Sequence, residues 1–222
     1  MKDVYSIYSI TPTRRNNKYK RSIDILSKNS RLKPLIKLIG PLNYKVPIWP
    51  SIEDTILYTV IGQMLSNSAS LSIIKRLHKN FGFSSAVFQW AKRNYHRIGP
   101  IKGVSQKKRK ALYKWLLYAD SHPRVWEEWK QLPLAEYRRE VSNIWGFGRW
   151  SADMIAIFHL GRMDIWPETD NGIKKVSRLV FGTDRYSRIK RHIAGCETVT
   201  ALYFWELLNK NLISHFEKEC YG

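Results

Sequence analysis

The chain has 222 residues, of which 38 are Lys or Arg and 18 are Asp or Glu, giving a formal net charge of +20. This excess predicts salt-sensitive attraction to polyanions, most commonly nucleic acid; a generally basic proteome or an anionic membrane surface is the alternative. No apolar run approaches the roughly 18 residues of a membrane span, so we expect an intracellular protein, in the cytoplasm or nucleoid or in a nucleus. Two cysteines exclude a disulfide framework and a four-cysteine iron–sulfur cluster.

Residues 1–20 have the composition of a loose basic arm, and apolar spacing predicts one or two helices over residues 21–39, ended by Gly40. Ser51 is a helix cap, and the helix that it begins continues to residue 62, where the pattern breaks at Gln63 and Met64. Further helices are predicted up to Gly82 and over residues 83–95. The first half of the chain therefore consists of helices joined by short turns.

A helix capped by Ser105 begins with a run of cations that includes Lys107 and Lys108. Positive charge in the first turn opposes the helix dipole, which favours an anion nearby. A solvated basic face is the alternative interpretation. We predict phosphate contact by Lys107 and Lys108.

A tight turn with two glycines, Gly146 and Gly148, lies between helices predicted over residues 133–144 and from residue 149 onward. Each glycine can take a positive φ and lacks a Cβ atom, so another backbone can approach closely. The N-terminus of the second helix presents free N–H groups at the same place. The turn is therefore a candidate contact for a phosphate strand.

The loop Pro167–Asp170 precedes a helix over residues 171–181, followed by helices over residues 184–193 and about 197–215. Taken alone, Asp170 would be interpreted as an ordinary N-cap. No strand alternation or internal repeat is found. We therefore predict an all-α protein of about ten helices.

The segment Gly146–Ala152, with Asp170 about 20 residues further on, resembles the hairpin and the catalytic loop of the helix-hairpin-helix DNA glycosylases, in particular the 3-methyladenine DNA glycosylase II branch. The segment 38–66 and the Gly-x-Ser-x-x-Lys helix start at residues 103–108 are similar to the same branch. The resemblance implies a two-lobed fold with the active site in the cleft between lobes and without an N-terminal β domain. Residues 21–222 would form this domain, with lobes at roughly 51–133 and at 21–50 plus 134–222.

The same resemblance implies roles for individual residues. Asp170 would be the catalytic carboxylate, and Trp150, Trp205 and Gln63 would line the base pocket. A polar helix end is the alternative for Gln63, and a core position is the alternative for Met64, the candidate wedge in the base stack. The implied DNA contacts are made by Met64, Gly146, Phe147, Gly148, Arg149, Ser151, Lys107 and Lys108.

Bifunctional members of the superfamily have a nucleophilic Lys just after the hairpin, and Trp150 occupies the matching position. An indole cannot form a Schiff base, so the resemblance implies a monofunctional enzyme. It also implies a monovalent cation, Na⁺ or K⁺, on the backbone carbonyls of Ser142, Trp145 and Phe147, with no other cofactor required.

The sequence thus predicts a monomeric DNA glycosylase that removes an alkylated base from duplex DNA by assisted cleavage of the N-glycosidic bond. Two alternatives remain open at this point. One is a glycosylase for deaminated, mismatched or other modified bases, and the other is a helix-hairpin-helix DNA-binding protein without catalysis.

Overall fold

A computed structural model describes residues 17–42, 48–49, 51–96 and 102–221. These ranges contain thirteen α-helices and no β-strand, so the all-α prediction is confirmed, although about ten helices was too few. The helices are α1 (Asn17–Leu26), α2 (Lys33–Ile39), α3 (Ile52–Gly62), α4 (Asn67–Phe81), α5 (Ser84–Asn94), α6 (Gln106–Ser121), α7 (Val125–Gln131), α8 (Leu134–Asn143), α9 (Arg149–Phe158), α10 (Asn171–Phe181), α11 (Tyr186–Ile193), α12 (Glu197–Asn209) and α13 (Ile213–Tyr221).

The chain divides into two compact units. The central unit comprises α3–α9, within residues 47–160, and the terminal unit comprises α1, α2 and α10–α13, within residues 8–46 and 161–222. Residues 134–160, which the sequence prediction grouped with the later helices, lie in the central unit because α8 packs on α9 and α9 packs on α3. Of the predicted basic arm, residues 1–16 lie outside the described ranges, and residues 17–20 begin α1.

Helix α3 lies at the centre of its unit and contacts α4, α5, α6 and α9. Every residue from Thr55 to Ile61 is buried. A helix that is apolar on all sides is stable only when other elements surround it, which is the case here. As predicted, the Ser51 side chain caps this helix by accepting a hydrogen bond from the Asp54 N–H.

Helix α12 has the same place in the terminal unit, where it contacts α1, α2, α10 and α11. Its residues from Glu197 to Phe204 are all buried. The rings of Trp166 and Phe181 pack against Phe204, at centroid distances of 5.7 and 6.1 Å. This apolar core fixes the position of α10 relative to α12. None of the described helices has the length and apolar character needed to cross a membrane.

The C-terminal region differs from the prediction of one helix over residues 197–215. Helix α12 ends at Asn209 and α13 begins at Ile213. Asn211 has φ +54°, a left-handed conformation that Asn tolerates better than most residues and that ends an α-helix. The apolar residues Leu208 and Leu212 keep a four-residue spacing across the break, so the periodicity did not reveal it.

Candidate nucleic-acid interface and catalytic group

The hairpin in the central unit occupies the five residues between α8 and α9. Gly146 has φ +87°, and a Cβ atom there would lie 2.7 Å from the Cβ of Ala111 on α6. Both the conformation and the close packing therefore require glycine at this position. The next residue, Phe147, is buried against Trp115, with ring centroids 6.0 Å apart. Any contact of Phe147 with DNA would therefore be made by its backbone.

Gly148 differs from the expectation of a positive φ. Its φ and ψ are −122° and −170°, an extended conformation open to any residue, and no atom lies within 4 Å of a Cβ built there. Gly148 is the N-cap of α9 and provides no capping side chain. The helix N-terminus at the exposed Arg149 is thus left accessible to an approaching backbone. Accessibility, rather than conformational need, distinguishes Gly148 from Gly146.

The turn after α3 contacts the hairpin directly. The Gln63 side-chain amide donates hydrogen bonds to the Gly146 carbonyl oxygen at 2.8 Å and to the Ser151 hydroxyl at 3.1 Å. Ser151 is only 2 % exposed, so its hydroxyl is not available to a phosphate, and its predicted DNA contact finds no support in its burial. The half-buried Trp150 ring lies near Gly62, where an added Cβ would be 3.6 Å from the ring.

Met64 follows Gln63 in this turn and is 95 % exposed. Its φ is +59°, in the left-handed region that a residue with a Cβ atom rarely adopts. An apolar side chain with this degree of exposure is available to enter a base stack. Its role as a wedge stays a prediction.

The cations at the start of α6 have different environments. Lys107 is exposed, but Lys108 donates through Nζ to the Ile61 carbonyl oxygen at 2.7 Å, and burial lowers the pKa of Lys108. Arg109 is 2 % exposed, and its guanidinium donates to the carbonyl oxygens of Asn94 and Val104. Much of the positive charge in this segment is therefore directed at helix and loop carbonyls of the protein itself. DNA contact by Lys107 and Lys108 stays a prediction.

The cation implied by the resemblance would need free carbonyl oxygens at the hairpin. Within the described ranges, no backbone N–H outside the regular helical ladder donates to the carbonyls of Ser142, Trp145 or Phe147. The hairpin uses the carbonyls of Ile144 and Gly146 for its own hydrogen bonds. Neutral carbonyl oxygens suit a monovalent cation, so these three residues fit the group, and its binding stays a prediction.

Asp170, in the terminal unit, is the N-cap of α10. Its Oδ1 accepts a hydrogen bond from the Ile173 N–H at 2.9 Å and another from the Trp205 indole N–H at 3.3 Å. The preceding turn is closed by the Asp170 N–H, which donates to the Pro167 carbonyl oxygen at 3.0 Å. The structure thus brings together two of the predicted site residues, and it leaves the carboxylate only half buried.

Gly172 makes this pairing possible, and the sequence analysis gave it no role. A Cβ atom at Gly172 would lie 2.8 Å from Leu208 Cδ1 and 3.1 Å from Asp170 Oδ1. Nothing in the sequence pattern alone indicates this close packing.

Two other carboxylates near these segments, Asp153 and Asp164, form ion pairs with arginines. Asp153 is fully buried and forms a salt bridge to Arg138 at 2.7 Å. Asp164 is exposed and pairs with Arg162 at 2.9 Å. Neither Asp153 nor Asp164 is therefore a candidate reacting group, and the catalytic role of Asp170 stays a prediction.

Solved structures of DNA glycosylases have the same fold. The 3-methyladenine DNA glycosylase of Schizosaccharomyces pombe, in complex with abasic DNA, aligns with a TM-score of 0.72 and 22 % identity, covering 86 % of this chain and 97 % of that one. The 3-methyladenine DNA glycosylase of Archaeoglobus fulgidus aligns with a TM-score of 0.65 and 17 % identity, over 90 % and 78 % of the two chains. The fold is therefore that of the 3-methyladenine DNA glycosylases.

The sequence is also similar to that of a curated relative over most of the length of both chains. The alkylbase DNA glycosidase-like protein mag2 of Schizosaccharomyces pombe is 25 % identical over an aligned length of 210 residues, and the alignment covers 87 % of this chain and 95 % of the relative. No protein-family model matches the chain. Together with the fold, this relative confirms the resemblance to alkylbase and 3-methyladenine DNA glycosylases.

Proposed function

We propose that this protein is a monofunctional DNA glycosylase that removes an alkylated base from duplex DNA in base excision repair. The observation that carries the proposal is the Asp170 carboxylate, held at the N-cap of α10 and hydrogen-bonded by the Trp205 indole. The relatives support the substrate class, since the yeast glycosylase structure contains abasic DNA and the similar yeast protein is named for alkylated bases.

The chemistry requires a negative group near the sugar. Cleavage of the N-glycosidic bond builds oxocarbenium character on the deoxyribose, and a carboxylate stabilises that charge and orients the attacking water. Aromatic rings such as those of Trp150 and Trp205 favour an electron-poor, cationic alkylpurine through stacking and cation–π attraction. Such a base is also a good leaving group, so a single carboxylate is sufficient assistance.

We propose that the enzyme has no lyase activity, because Trp150 stands where bifunctional glycosylases have a nucleophilic lysine. Strand cleavage by a bifunctional glycosylase needs an amine that attacks the sugar, and the position after Arg149 holds an indole. The product would therefore be an intact strand with an abasic site.

The test uses end-labelled duplexes that each contain one modified base: an N3- or N7-alkylpurine, uracil, hypoxanthine or 8-oxoguanine. Strand breaks are scored with and without hot alkali. We expect breaks on the alkylpurine duplex only after alkali. Breaks without alkali would contradict the monofunctional assignment, and breaks on another duplex would change the base assignment.

The Asp170→Asn variant tests the catalytic group. We expect it to lose at least about 100-fold in single-turnover excision, because the negative charge is lost while the shape remains, with duplex binding nearly unchanged. Asp164→Asn is the matched control, since Asp164 is an exposed carboxylate of the same unit, and it should excise at the wild-type rate. Equal excision rates of the wild type and Asp170→Asn would refute the catalytic role of Asp170. If the wild type binds every duplex but excises no base, the protein would instead be a non-catalytic DNA-binding protein.

A further inference from the structure

The Gln63 side chain joins the turn after α3 to the hairpin. We propose that Gln63 is a positioning residue: it fixes the Met64 turn to the hairpin, so that the wedge and the phosphate-binding backbone move as one rigid piece when a nucleotide leaves the stack. This inference rests on the proposed function, because it assigns a task to Gln63 within the same DNA-binding surface.

The hydrogen bonds of Gln63 use its whole donor capacity. A side-chain amide has two N–H groups, and Gln63 directs them to the Gly146 carbonyl oxygen and the Ser151 hydroxyl, 83 and 88 residues away in the sequence. The first acceptor belongs to the hairpin glycine with positive φ, and the second lies in the first turn of α9. The base-pocket role inferred from sequence would leave only the Gln63 carbonyl oxygen for a base.

The turn needs such a link because its own contacts are few. Met64 holds a left-handed backbone conformation, which costs about 1–2 kcal/mol, and its exposed side chain gives almost no packing in return. Within the turn, the Leu65 N–H donates to the Gly62 carbonyl oxygen at 3.1 Å. The preceding helix end is held separately by Lys108, which donates to the Ile61 carbonyl. Gln63 is therefore the link that connects Met64 to the hairpin.

The link has a direct consequence for base extrusion. A wedge lowers the cost of unstacking only if it enters at a fixed distance from the phosphates that hold the strand, and displacements of about 1 Å in a positioned group are costly. With the hairpin bound to the backbone, Gln63 would set that distance for Met64. Loss of the link should impair extrusion more than it impairs phosphate binding.

The test measures extrusion without base excision. The probe is a duplex with 2-aminopurine, which fluoresces more strongly when unstacked, beside an abasic-site analogue. We expect Gln63→Met, which keeps the side-chain length and removes both donors, to lower the extrusion constant about five- to tenfold. Affinity for an undamaged duplex should fall by a smaller factor than the extrusion constant, and Ser151→Ala, which removes one acceptor, should give a smaller loss of extrusion than Gln63→Met.

A double-variant cycle with Met64→Ala separates positioning from other effects. If Gln63 acts through Met64, then Gln63→Met should cause no further loss of extrusion in the Met64→Ala background. Additive losses, an unchanged fluorescence response in Gln63→Met, or a wild-type response that does not depend on Met64 would each overturn the inference. Because the signal needs no chemistry, a wild type that extrudes but never excises would contradict the proposed function while the coupling of Gln63 and Met64 still stands.

Discussion

At the scale of single residues, one oxygen of Asp170 connects the start of α10 with α12. It accepts from the α10 backbone at Ile173 and from the indole of Trp205 on α12. The carboxylate therefore fixes the plane of the Trp205 ring, and the indole in turn restricts the carboxylate to one rotamer. Gly172 permits this arrangement because any larger residue would meet Leu208 and Asp170.

Replacement of Trp205 by Phe should separate the proposed stacking on a base from the hydrogen bond to Asp170. The aromatic face for a base remains, but the hydrogen bond to Asp170 is lost, and hydrogen bonds to charged groups contribute about 1.5–3 kcal/mol. We expect single-turnover excision to fall roughly 10-fold or more, with little loss of duplex affinity. Trp90→Phe is the control: Trp90 lies in the central unit, where its ring packs on Phe81, so that change should leave the rate unaltered. A wild-type rate in Trp205→Phe would show that the indole N–H has no role.

The sequence identified Asp170 and Trp205 as candidates through a family resemblance, but it did not predict that they touch. They are 35 residues apart, and their distance depends on how α10 and α12 pack. The same holds for Gln63, whose bonds to the hairpin depend on the packing of α9 on α3. Local sequence motifs indicate which residues belong to the candidate site, whereas the contacts between distant segments depend on tertiary packing.

At the scale of helices, the predicted start sites at Ser51, Ser105 and Asp170 are confirmed, because a side-chain oxygen at the N-cap satisfies a backbone N–H locally. The predicted end of α10 at residue 181 is also confirmed, because the next residue, Gly182, takes the left-handed conformation that ends a helix. The break at Asn211 escaped prediction because a non-glycine residue takes that conformation. Helix boundaries are thus predictable where one residue decides them.

The two hairpin glycines provide a matched pair of variants at this scale. Gly146→Ala places a Cβ atom at positive φ and 2.7 Å from Ala111, so we expect the free energy of unfolding to fall by about 2–4 kcal/mol. In Gly148→Ala the added Cβ meets no atom within 4 Å and the backbone stays extended. Alanine is a slightly poorer N-cap than glycine, but this loss of stability is offset because alanine lowers the entropy of the unfolded chain.

Urea unfolding and duplex titration distinguish the two effects. Gly148→Ala should unfold within about 1 kcal/mol of the wild type and bind any duplex more weakly, because the added methyl group lies where a phosphate strand would approach. Wild-type duplex affinity in Gly148→Ala would remove Gly148 from the interface. Wild-type stability in Gly146→Ala would contradict the packing described for α6.

At the scale of the whole molecule, the net charge of +20 includes cations with different tasks. Arg109 and Lys108 donate to carbonyls inside the central unit, and Arg138 pairs with the buried Asp153. Exposed cations such as Lys107 remain for a polyanion. Composition gives the total charge, but only the fold shows which cations bind groups of the protein itself and which are exposed to a polyanion.

The neighbouring residues Lys107 and Lys108 test this separation. If Lys107 contacts a phosphate, Lys107→Gln should reduce the slope of log affinity against log salt by about 0.9 and leave stability unchanged. Lys108→Gln should lower the free energy of unfolding by about 1 kcal/mol, because its ammonium holds the end of α3. The slope should stay unchanged if Lys108 serves α3 alone, and it should fall if Lys108 also makes the predicted phosphate contact. Duplex titrations at several salt concentrations with urea unfolding give both quantities, and the reverse pattern would refute the assignment.

The route of the chain through its two units has a consequence for biosynthesis. Among the described residues, the helices of the central unit, α3 to α9, form one continuous segment, whereas the terminal unit combines α1 and α2 with helices that follow residue 160. On a ribosome, the continuous segment has all its contacts available first, and α1 and α2 must wait for α12, on which they pack. Asp170 and Trp205 belong to the part that is completed last, so a nascent chain would gain its hairpin before it gains its carboxylate–indole pair.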